Sequence, residues 1–150
     1  LSGLGYVSWL GNAMTPEYGL NQRFFAIVTN ADLKADLPFE GPSICDSCDK
    51  PCAKNCMVTA LQEKVVLSVG GKEVRQAKLA SLRCDWCKRY AFVGDEGPKY
   101  MGSKTNIMPP EHIDGEVIVE AMEKMDPLQK RIPCIVEKCI LSCPVMGREE

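Results

Sequence analysis

The sequence has 150 residues, of which 45% are hydrophobic and 25% charged, and its formal net charge is −2. A chain of this size and composition can bury an ordinary core, so we expect one folded domain or a substantial part of a larger protein. The basic residues are scattered, which argues against a nucleic-acid partner, and no apolar run approaches the ~20 residues of a membrane-spanning helix. The chain opens at Leu1 without a signal peptide, and we expect a cytoplasmic fragment whose upstream part is missing.

The N-terminal segment is rich in glycine and then in apolar residues. Residues 3–15 are small and apolar, with glycines that allow the backbone to approach a neighbouring segment or a flat ligand closely. The string Thr-Pro-Glu-Tyr-Gly at residues 15–19 predicts a turn. Residues 23–30, which are rich in Phe, Ile and Val, predict a buried strand.

A β-hairpin is the clearest prediction for the middle of the chain. Residues 64–69 and 72–77 have strand composition and flank Gly70-Gly71, and two strands joined by Gly-Gly are typical of a tight hairpin. We also predict a short helix at residues 57–62. Residues 90–112 show no period, and a loop of about twenty residues in a compact domain is more often functional than idle.

Two helices are predicted towards the C-terminus. At residues 114–125 the apolar side chains recur at helical spacing, charged ones take the other face, and Asp126-Pro127 ends the pattern. A shorter helix is predicted at residues 136–143, ended by Pro144. The single histidine, His112, stands in a polar context without the partners that a metal or catalytic histidine needs, so we expect no site there.

The nine cysteines are the most informative feature of the sequence. They form a first run, Cys45-x2-Cys48-x3-Cys52-x3-Cys56, a second run, Cys134-x4-Cys139-x3-Cys143, and a pair between the runs, Cys84-x2-Cys87. Thiolates at such spacings wrap iron–sulfur clusters, and in two-cluster ferredoxins the last cysteine of each run binds the other cluster. The sequence therefore predicts two [4Fe-4S] clusters with four ligands each.

The same rule distributes the cysteines between the two clusters. The first cluster takes the first three cysteines of the first run and the last of the second, namely Cys45, Cys48, Cys52 and Cys143. The second cluster takes the remaining members of both runs, namely Cys56, Cys134 and Cys139. Its fourth ligand has to come from the intervening pair, either Cys84 or Cys87, which leaves one cysteine over.

Two other uses of the cysteines compete with iron–sulfur clusters. A disulfide framework needs an oxidising compartment, and an odd number of cysteines fits it poorly. The pairs Cys45-x2-Cys48 and Cys84-x2-Cys87 alone have the spacing of a zinc ribbon, although such a site leaves the other five cysteines idle. The visible absorption spectrum separates these alternatives, because iron–sulfur clusters are brown and zinc thiolates are colourless.

Several short strings carry a family resemblance. They are Leu4-Gly5-Tyr6, Leu10-Gly11-Asn12, Thr15-Pro16-Glu17-Tyr18-Gly19, Arg23, Val28-Thr29, Lys78-Leu79, Arg83-Cys84 and Asp126-Pro127-Leu128-Gln129. In this order, and along nearly the whole chain, they resemble the C-terminal half of cobalamin-dependent reductive dehalogenases and their relatives the epoxyqueuosine reductases. The resemblance implies an α+β fold class. Residues 43–150 would form a bacterial-ferredoxin-like unit with two [4Fe-4S] clusters, and residues 1–42 would belong to a nitroreductase-like core that binds cobalamin.

The resemblance also implies roles for single residues. The family's isolated cysteine after the hairpin binds the cluster nearer to cobalamin, which selects Cys84 over Cys87. Arg23 stands where a dehalogenase has a cation near the halogen site, and the alternative is a strand-end charge that pairs with Glu17. Contacts with cobalamin are implied for Gly5, Gly11, Asn12 and Trp86. For the tryptophan, packing in a core is the alternative.

Two functions follow from these observations. The resemblance implies the electron-transfer portion of a cobalamin-dependent reductase, which receives electrons from a low-potential donor such as ferredoxin or flavodoxin and is not catalytic alone. The alternative is a stand-alone two-cluster ferredoxin. The long segment ahead of Cys45 favours the reductase, because a small ferredoxin needs no such lead-in.

Overall fold

The computed structural model of the chain describes residues 3–90, 92–93, 105–124 and 138–145. Within those ranges the regular elements are β1 (Tyr6–Val7), β2 (Ala13–Met14), α1 (Ile44–Ser47), α2 (Pro51–Lys54), β3 (Leu61–Val69), β4 (Lys72–Leu79), α3 (Ser81–Lys88), α4 (Gly115–Glu123) and α5 (Lys138–Leu141). Strand β1 pairs with β2 and β3 pairs with β4, both antiparallel. No helix in these ranges is both long enough and apolar enough to cross a membrane.

The β3–β4 hairpin confirms the predicted hairpin. At its tip Val69 pairs with Lys72 across the two-residue turn. Gly70 and Gly71 have φ angles of 60° and 79°, a left-handed conformation that glycine adopts without steric cost. Both strands extend beyond the predicted bounds, and the base of the hairpin leads directly into α3.

A small apolar core holds α3 against α4. At its centre Trp86 and Phe92 are 1% and 0% exposed, and their rings meet edge to face with centroids 4.6 Å apart. The indole Nε1 of Trp86 donates to the carbonyl oxygen of Ile107 at 2.6 Å, which satisfies the polar atom of this buried side chain. The other buried members of the core are Val58, Ala60, Cys87, Val93, Ile113 and Ala121. Cys56 and Cys84 pack against this core from its edge.

Helix α4 confirms the predicted amphipathic helix. The Asp114 side chain caps it by accepting a 2.9 Å hydrogen bond from the Val117 amide. This bond satisfies one of the amide groups that a helix leaves without an intrahelical partner at its start. Met125, which we included in the helix, lies outside the described residues.

Residues 23–30 do not form the predicted strand, and that prediction is wrong. Phe25, Ile27 and Val28 are 89%, 88% and 101% exposed. No other described segment pairs with the backbone of residues 23–30. A strand is stable only where a neighbouring strand satisfies its backbone groups and a packed surface covers its side chains. The described part of the chain offers neither to this segment.

The helix predicted at residues 57–62 is also wrong. Thr59 has a φ angle of 49°, which interrupts a right-handed helix, and β3 has already begun at residue 61. The Thr59 amide donates to the Cys56 carbonyl oxygen at 3.0 Å, and the Ala60 amide donates to the Cys56 Sγ at 3.2 Å. A tight turn around Cys56 therefore takes the amide groups that a helix would use.

The helix α5, the loop at residues 90–112 and the helix α3 differ in how well the sequence predicted them. The helix predicted at residues 136–143 is present as α5, and residues 136–137 lie outside the described residues. The described positions of the loop at residues 90–112 form no helix or strand apart from an isolated bridge between Val93 and Asn106. The sequence patterns missed α3, which carries the Cys84-x2-Cys87 pair.

The segment ahead of Cys45, which we call the lead-in, packs on the β3–β4 hairpin. The Ala77 amide donates to the Trp9 carbonyl oxygen at 2.9 Å, and the Lys72 Nζ donates to the Phe39 carbonyl oxygen at 3.1 Å. These bonds connect residues 1–42 directly with residues 43–150, and the division of the chain at that point stays a prediction.

Candidate metal centres

The first cysteine run folds into two single-turn helices. Cys45 lies on α1, Cys48 follows it as the C-terminal cap, and Cys52 lies on α2. Between the helices Lys50 has a left-handed conformation with a φ angle of 57°. Pro51 starts α2 at a position where its missing N–H is not needed. The reversal folds the run back on itself. Cys45 and Cys48 consequently lie near enough to Cys52 to contribute to the raised pKa of its thiol.

Cys143 joins the first three cysteines of this run. It follows α5, and α5 packs against α2. Burial raises the pKa of the Cys52 thiol, and the nearby thiolates of Cys45, Cys143 and Cys48 raise it further. Burial likewise raises the pKa of the Cys143 thiol, and Cys45 and Cys48 add to that effect. The structure thus brings together the four cysteines assigned to the first cluster, and a positively charged metal centre would offset the repulsion among their thiolates.

Two residues that sequence reasoning missed, Trp9 and Lys50, contact this first group. The Trp9 amide donates to the Cys45 Sγ at 3.2 Å. The Lys50 Nζ donates to the Cys48 carbonyl oxygen at 2.9 Å and lies 5.0 Å from the centroid of the Trp9 ring. The Trp9 Nε1 and the Ser8 Oγ are buried without an acceptor or donor among the described residues. Buried polar atoms of this kind fit a site whose sulfur atoms accept hydrogen bonds.

A second group of cysteines lines one cavity of about 100 Å³. Its members are Cys56, Cys84, Cys87 and Cys139. Cys84 and Cys87 are three residues apart on the same side of α3, and Cys139 lies on α5. The cavity therefore brings together the three described cysteines assigned to the second cluster and adds Cys87, which is 7% exposed. Cys134, the remaining predicted ligand, lies outside the described residues.

Arg83 fixes α3 relative to the turn at Cys56. Its Nε donates to the Val58 carbonyl oxygen at 2.8 Å, and its Nη1 donates to the Pro110 carbonyl oxygen at 2.8 Å. A guanidinium group offers several donors in a rigid plane, so one side chain joins three separate segments. In the sequence analysis Arg83 appeared only as the neighbour of Cys84. The cysteine spacing does not indicate that Arg83 bonds to backbone carbonyl groups.

The described cysteines do not form a site for a single metal ion. Across the described part of the chain, no three Cys, His, Asp or Glu side chains lie close enough together to hold one ion. A [4Fe-4S] cluster binds each thiolate through a different iron, so its ligands are spread more widely than those of a zinc ion. A zinc ribbon would need Cys45 and Cys48 beside Cys84 and Cys87, but the cavity that contains the second pair is not lined by the first.

The four residues implied to contact cobalamin lie in different surroundings. Gly5 lines a groove of about 820 Å³ between the lead-in and the tip of the hairpin. Asn12 lines the cysteine cavity instead, and Gly11, with a φ angle of 81°, lies beside Gln76. Trp86 belongs to the core and is 1% exposed, the surroundings expected of a packing residue. The described residues do not join these four into one wall.

Arg23 and His112 are both exposed. Arg23 lies in the uncovered segment that begins after Gln22, and no described residue, Glu17 included, forms an ion pair with it. Its neighbours Phe24 and Phe25 line the groove that also contains Gly5. Its assignment as a catalytic cation stays a prediction.

Part of the chain is similar to a known enzyme. Over 64 residues it is 39% identical to the tetrachloroethene reductive dehalogenase of Sulfurospirillum multivorans, a match that covers 41% of this chain and 13% of that protein. The chain thus spans only a small part of the length of this relative. No family model and no solved structure matches the chain. The similarity supports a relationship to reductive dehalogenases.

Proposed function

We propose that this chain is the iron–sulfur electron-transfer portion of a cobalamin-dependent reductase related to the reductive dehalogenases. In this proposal Cys45, Cys48, Cys52 and Cys143 hold one [4Fe-4S] cluster, and Cys56, Cys84, Cys134 and Cys139 hold the other. The ferredoxin-like fold assigned to residues 43–150 is part of the same proposal. A low-potential carrier such as ferredoxin or flavodoxin would supply the electrons.

One observation carries the proposal: the last cysteine of each run lies with the other run. Cys143 follows α5, which packs against the α2 helix that carries Cys52 of the first run, and Cys143 contributes to the raised pKa of the Cys52 thiol. Cys56 lines the cavity that also contains Cys139 of the second run. This exchange is the ligand pattern of two-cluster ferredoxins, and neither a disulfide framework nor a zinc ribbon requires it.

The residues around the cysteines suit electron transfer. The clusters, when bound, carry single electrons, and cobalamin, when bound, supplies the reductive chemistry. The chain's own contribution is to bury the thiols and to direct amide groups at their sulfur atoms. The Trp9 amide donates to the Cys45 Sγ, and the Ala60 amide donates to the Cys56 Sγ, both at 3.2 Å. Such hydrogen bonds stabilise negative charge on sulfur and so adjust the reduction potential of each centre.

The metal content of the protein tests the proposal. After anaerobic reconstitution we expect about eight iron and about eight acid-labile sulfide per chain, because two cubane clusters contain that number. The protein should be brown and should show the electron paramagnetic resonance (EPR) signals of reduced clusters. Stoichiometric zinc, or about half the expected iron and sulfide, would contradict the assignment of two clusters.

A stand-alone two-cluster ferredoxin is the second candidate, and one observation favours it. The lead-in is not a separate body here, since Trp9 bonds to both Cys45 and Ala77 through its backbone. A lead-in that packs directly against the proposed cluster ligands can be part of a ferredoxin, and it need not belong to a cobalamin-binding core. Titrating cobalamin into the full-length protein separates the candidates. The reductase predicts a base-off spectrum, whereas an unchanged spectrum at saturating cobalamin leaves the ferredoxin.

A further inference from the structure

We propose that the indole N–H of Trp9 donates a hydrogen bond to a sulfur atom of the first cluster and raises the reduction potential of that cluster. This inference rests on the proposed function, because it requires a cluster at Cys45, Cys48, Cys52 and Cys143. It gives Trp9 a positioning and tuning role that neither the cysteine spacing nor the similarity to the dehalogenase assigns.

The first observation is that the Trp9 Nε1 is buried without a hydrogen-bond acceptor among the described residues. A buried N–H group without a partner loses its hydrogen bond to water and gains nothing in return, so native proteins almost always provide an acceptor. The other tryptophan of the chain follows this rule, since the Trp86 Nε1 donates to the Ile107 carbonyl oxygen at 2.6 Å. The Trp9 Nε1–H group therefore needs a hydrogen-bond acceptor, and the described residues do not provide one.

The second observation is the position of Trp9 beside the ligands. Its backbone amide donates to the Cys45 Sγ at 3.2 Å, so the residue contacts a proposed ligand directly. Its ring is covered by Lys50, whose Nζ lies 5.0 Å from the ring centroid and 2.9 Å from the Cys48 carbonyl oxygen. The ring is thus fixed between the lead-in and the turn that joins α1 to α2, where two ligands of the same cluster lie.

The chemistry of the acceptor follows from these contacts. The sulfur atoms of a [4Fe-4S] cluster and its thiolates accept N–H hydrogen bonds, and reduction adds negative charge to them. A hydrogen bond from Trp9 and the positive charge of Lys50 both stabilise the reduced form more than the oxidised form. Trp9 and Lys50 together therefore raise the potential of the first cluster relative to a site without them.

The test is a redox titration of the reconstituted full chain, followed by EPR, for the wild type and Trp9→Phe. Phenylalanine keeps an aromatic ring under Lys50 and removes the N–H donor. We expect the potential of the first cluster to fall by about 59 mV, which corresponds to a tenfold change in a one-electron equilibrium constant. Trp86→Phe is the matched control, because it also removes an indole donor but leaves the potential of the first cluster unchanged. An unchanged potential in Trp9→Phe with full iron content overturns the inference.

A second measurement detects the hydrogen bond in the wild type itself. Wild-type protein labelled with ¹⁵N only in the indole rings should show a ¹⁵N hyperfine coupling to a reduced cluster in electron–nuclear double resonance (ENDOR). The coupling is assigned to Trp9 if it persists in Trp86→Phe. Absence of any indole coupling in the wild type also overturns the inference. Failure of the proposed function is distinguished by the iron content, which would then be low or replaced by zinc in the wild type itself.

Discussion

The Nε of Arg83 donates a 2.8 Å hydrogen bond to the carbonyl oxygen of Val58 and thereby joins α3 to the turn that carries Cys56. Val58 lines the cavity that Cys56 and Cys84 also line, and Arg83 directly precedes Cys84 in the chain. Their contact explains how cysteines from the first run and from the intervening pair reach one site. The bond also positions α3 against the core, since Arg83 contacts the Pro110 carbonyl oxygen through a second nitrogen.

Arg83→Met should destabilise the protein and weaken the second cluster selectively. Hydrogen bonds from a charged group typically contribute about 1.5–3 kcal/mol, and the carbonyl groups of Val58 and Pro110 would lose their donors. We expect iron loss to begin at the second cluster when the variant is titrated with a chelator. Arg89→Met is the control, since Arg89 is 67% exposed and lies 3.8 Å from Asp85, a contact worth less than about 1 kcal/mol. Equal chelator sensitivity of the two clusters in Arg83→Met would contradict this role.

The Cys84-x2-Cys87 pair should divide into a ligand and a neighbour. We expect Cys84→Ala to remove one cluster or convert it to a form with less iron, because the proposal makes this thiol a ligand. Cys87→Ala should leave both clusters intact, although Cys87 lines the same cavity. Iron content and EPR of the two variants measure the difference. The reverse outcome would mean that the two cysteines have exchanged roles.

The stability of the metal-free chain should fall at alkaline pH. Burial raises the pKa of Cys52 and of Cys143 above the ordinary value of 9.0. A thiol whose pKa is higher in the folded chain than in the unfolded chain binds its proton more tightly when folded. The thiol's contribution to stability is complete at pH values below its pKa in the unfolded chain. The contribution is lost as the pH rises through its higher pKa in the folded chain.

Urea unfolding of the reduced, metal-free chain at about pH 8 and about pH 10 measures this loss. Cys52→Ser should show a smaller decrease than the wild type, because a serine hydroxyl does not titrate in this range. An identical pH dependence in the variant would show that Cys52 has an ordinary pKa in the folded chain.

The hairpin turn offers a prediction about stability alone. Gly71→Ala should destabilise the protein by about 1–2 kcal/mol, because Gly71 has a φ angle of 79° and a β-carbon is unfavourable there. Steric overlap with neighbouring residues does not contribute to this cost, since nothing lies within 4 Å of the position of an added Cβ. Gly115→Ala has equally open surroundings without a left-handed φ, and it should stabilise α4 by up to about 1 kcal/mol. Thermal or urea unfolding of both variants tests the opposite signs.

Local patterns in the sequence were sufficient for some of the fold. The Gly70-Gly71 dipeptide between two strand-like runs predicted the hairpin, since the conformation of those two residues depends on the glycines themselves. The period of residues 114–125 predicted α4, because the spacing of apolar side chains along a helix is also a local pattern. Cysteine spacing likewise indicated which thiols to group, because short loops limit how far apart ligands can lie.

Tertiary contacts decided what the patterns could not. Residues 23–30 have the composition of a buried strand but are exposed, because a strand depends on partners that composition does not supply. The turn after Cys56 replaced a predicted helix, because the Cys56 Sγ accepts an amide from Ala60. The contact of Trp9 with Cys45 had no sequence signal, since it joins residues that lie 36 positions apart. The sequence by itself determined the conformations that depend on neighbouring residues, whereas the surroundings of each cysteine depend on segments that meet only when the chain has folded.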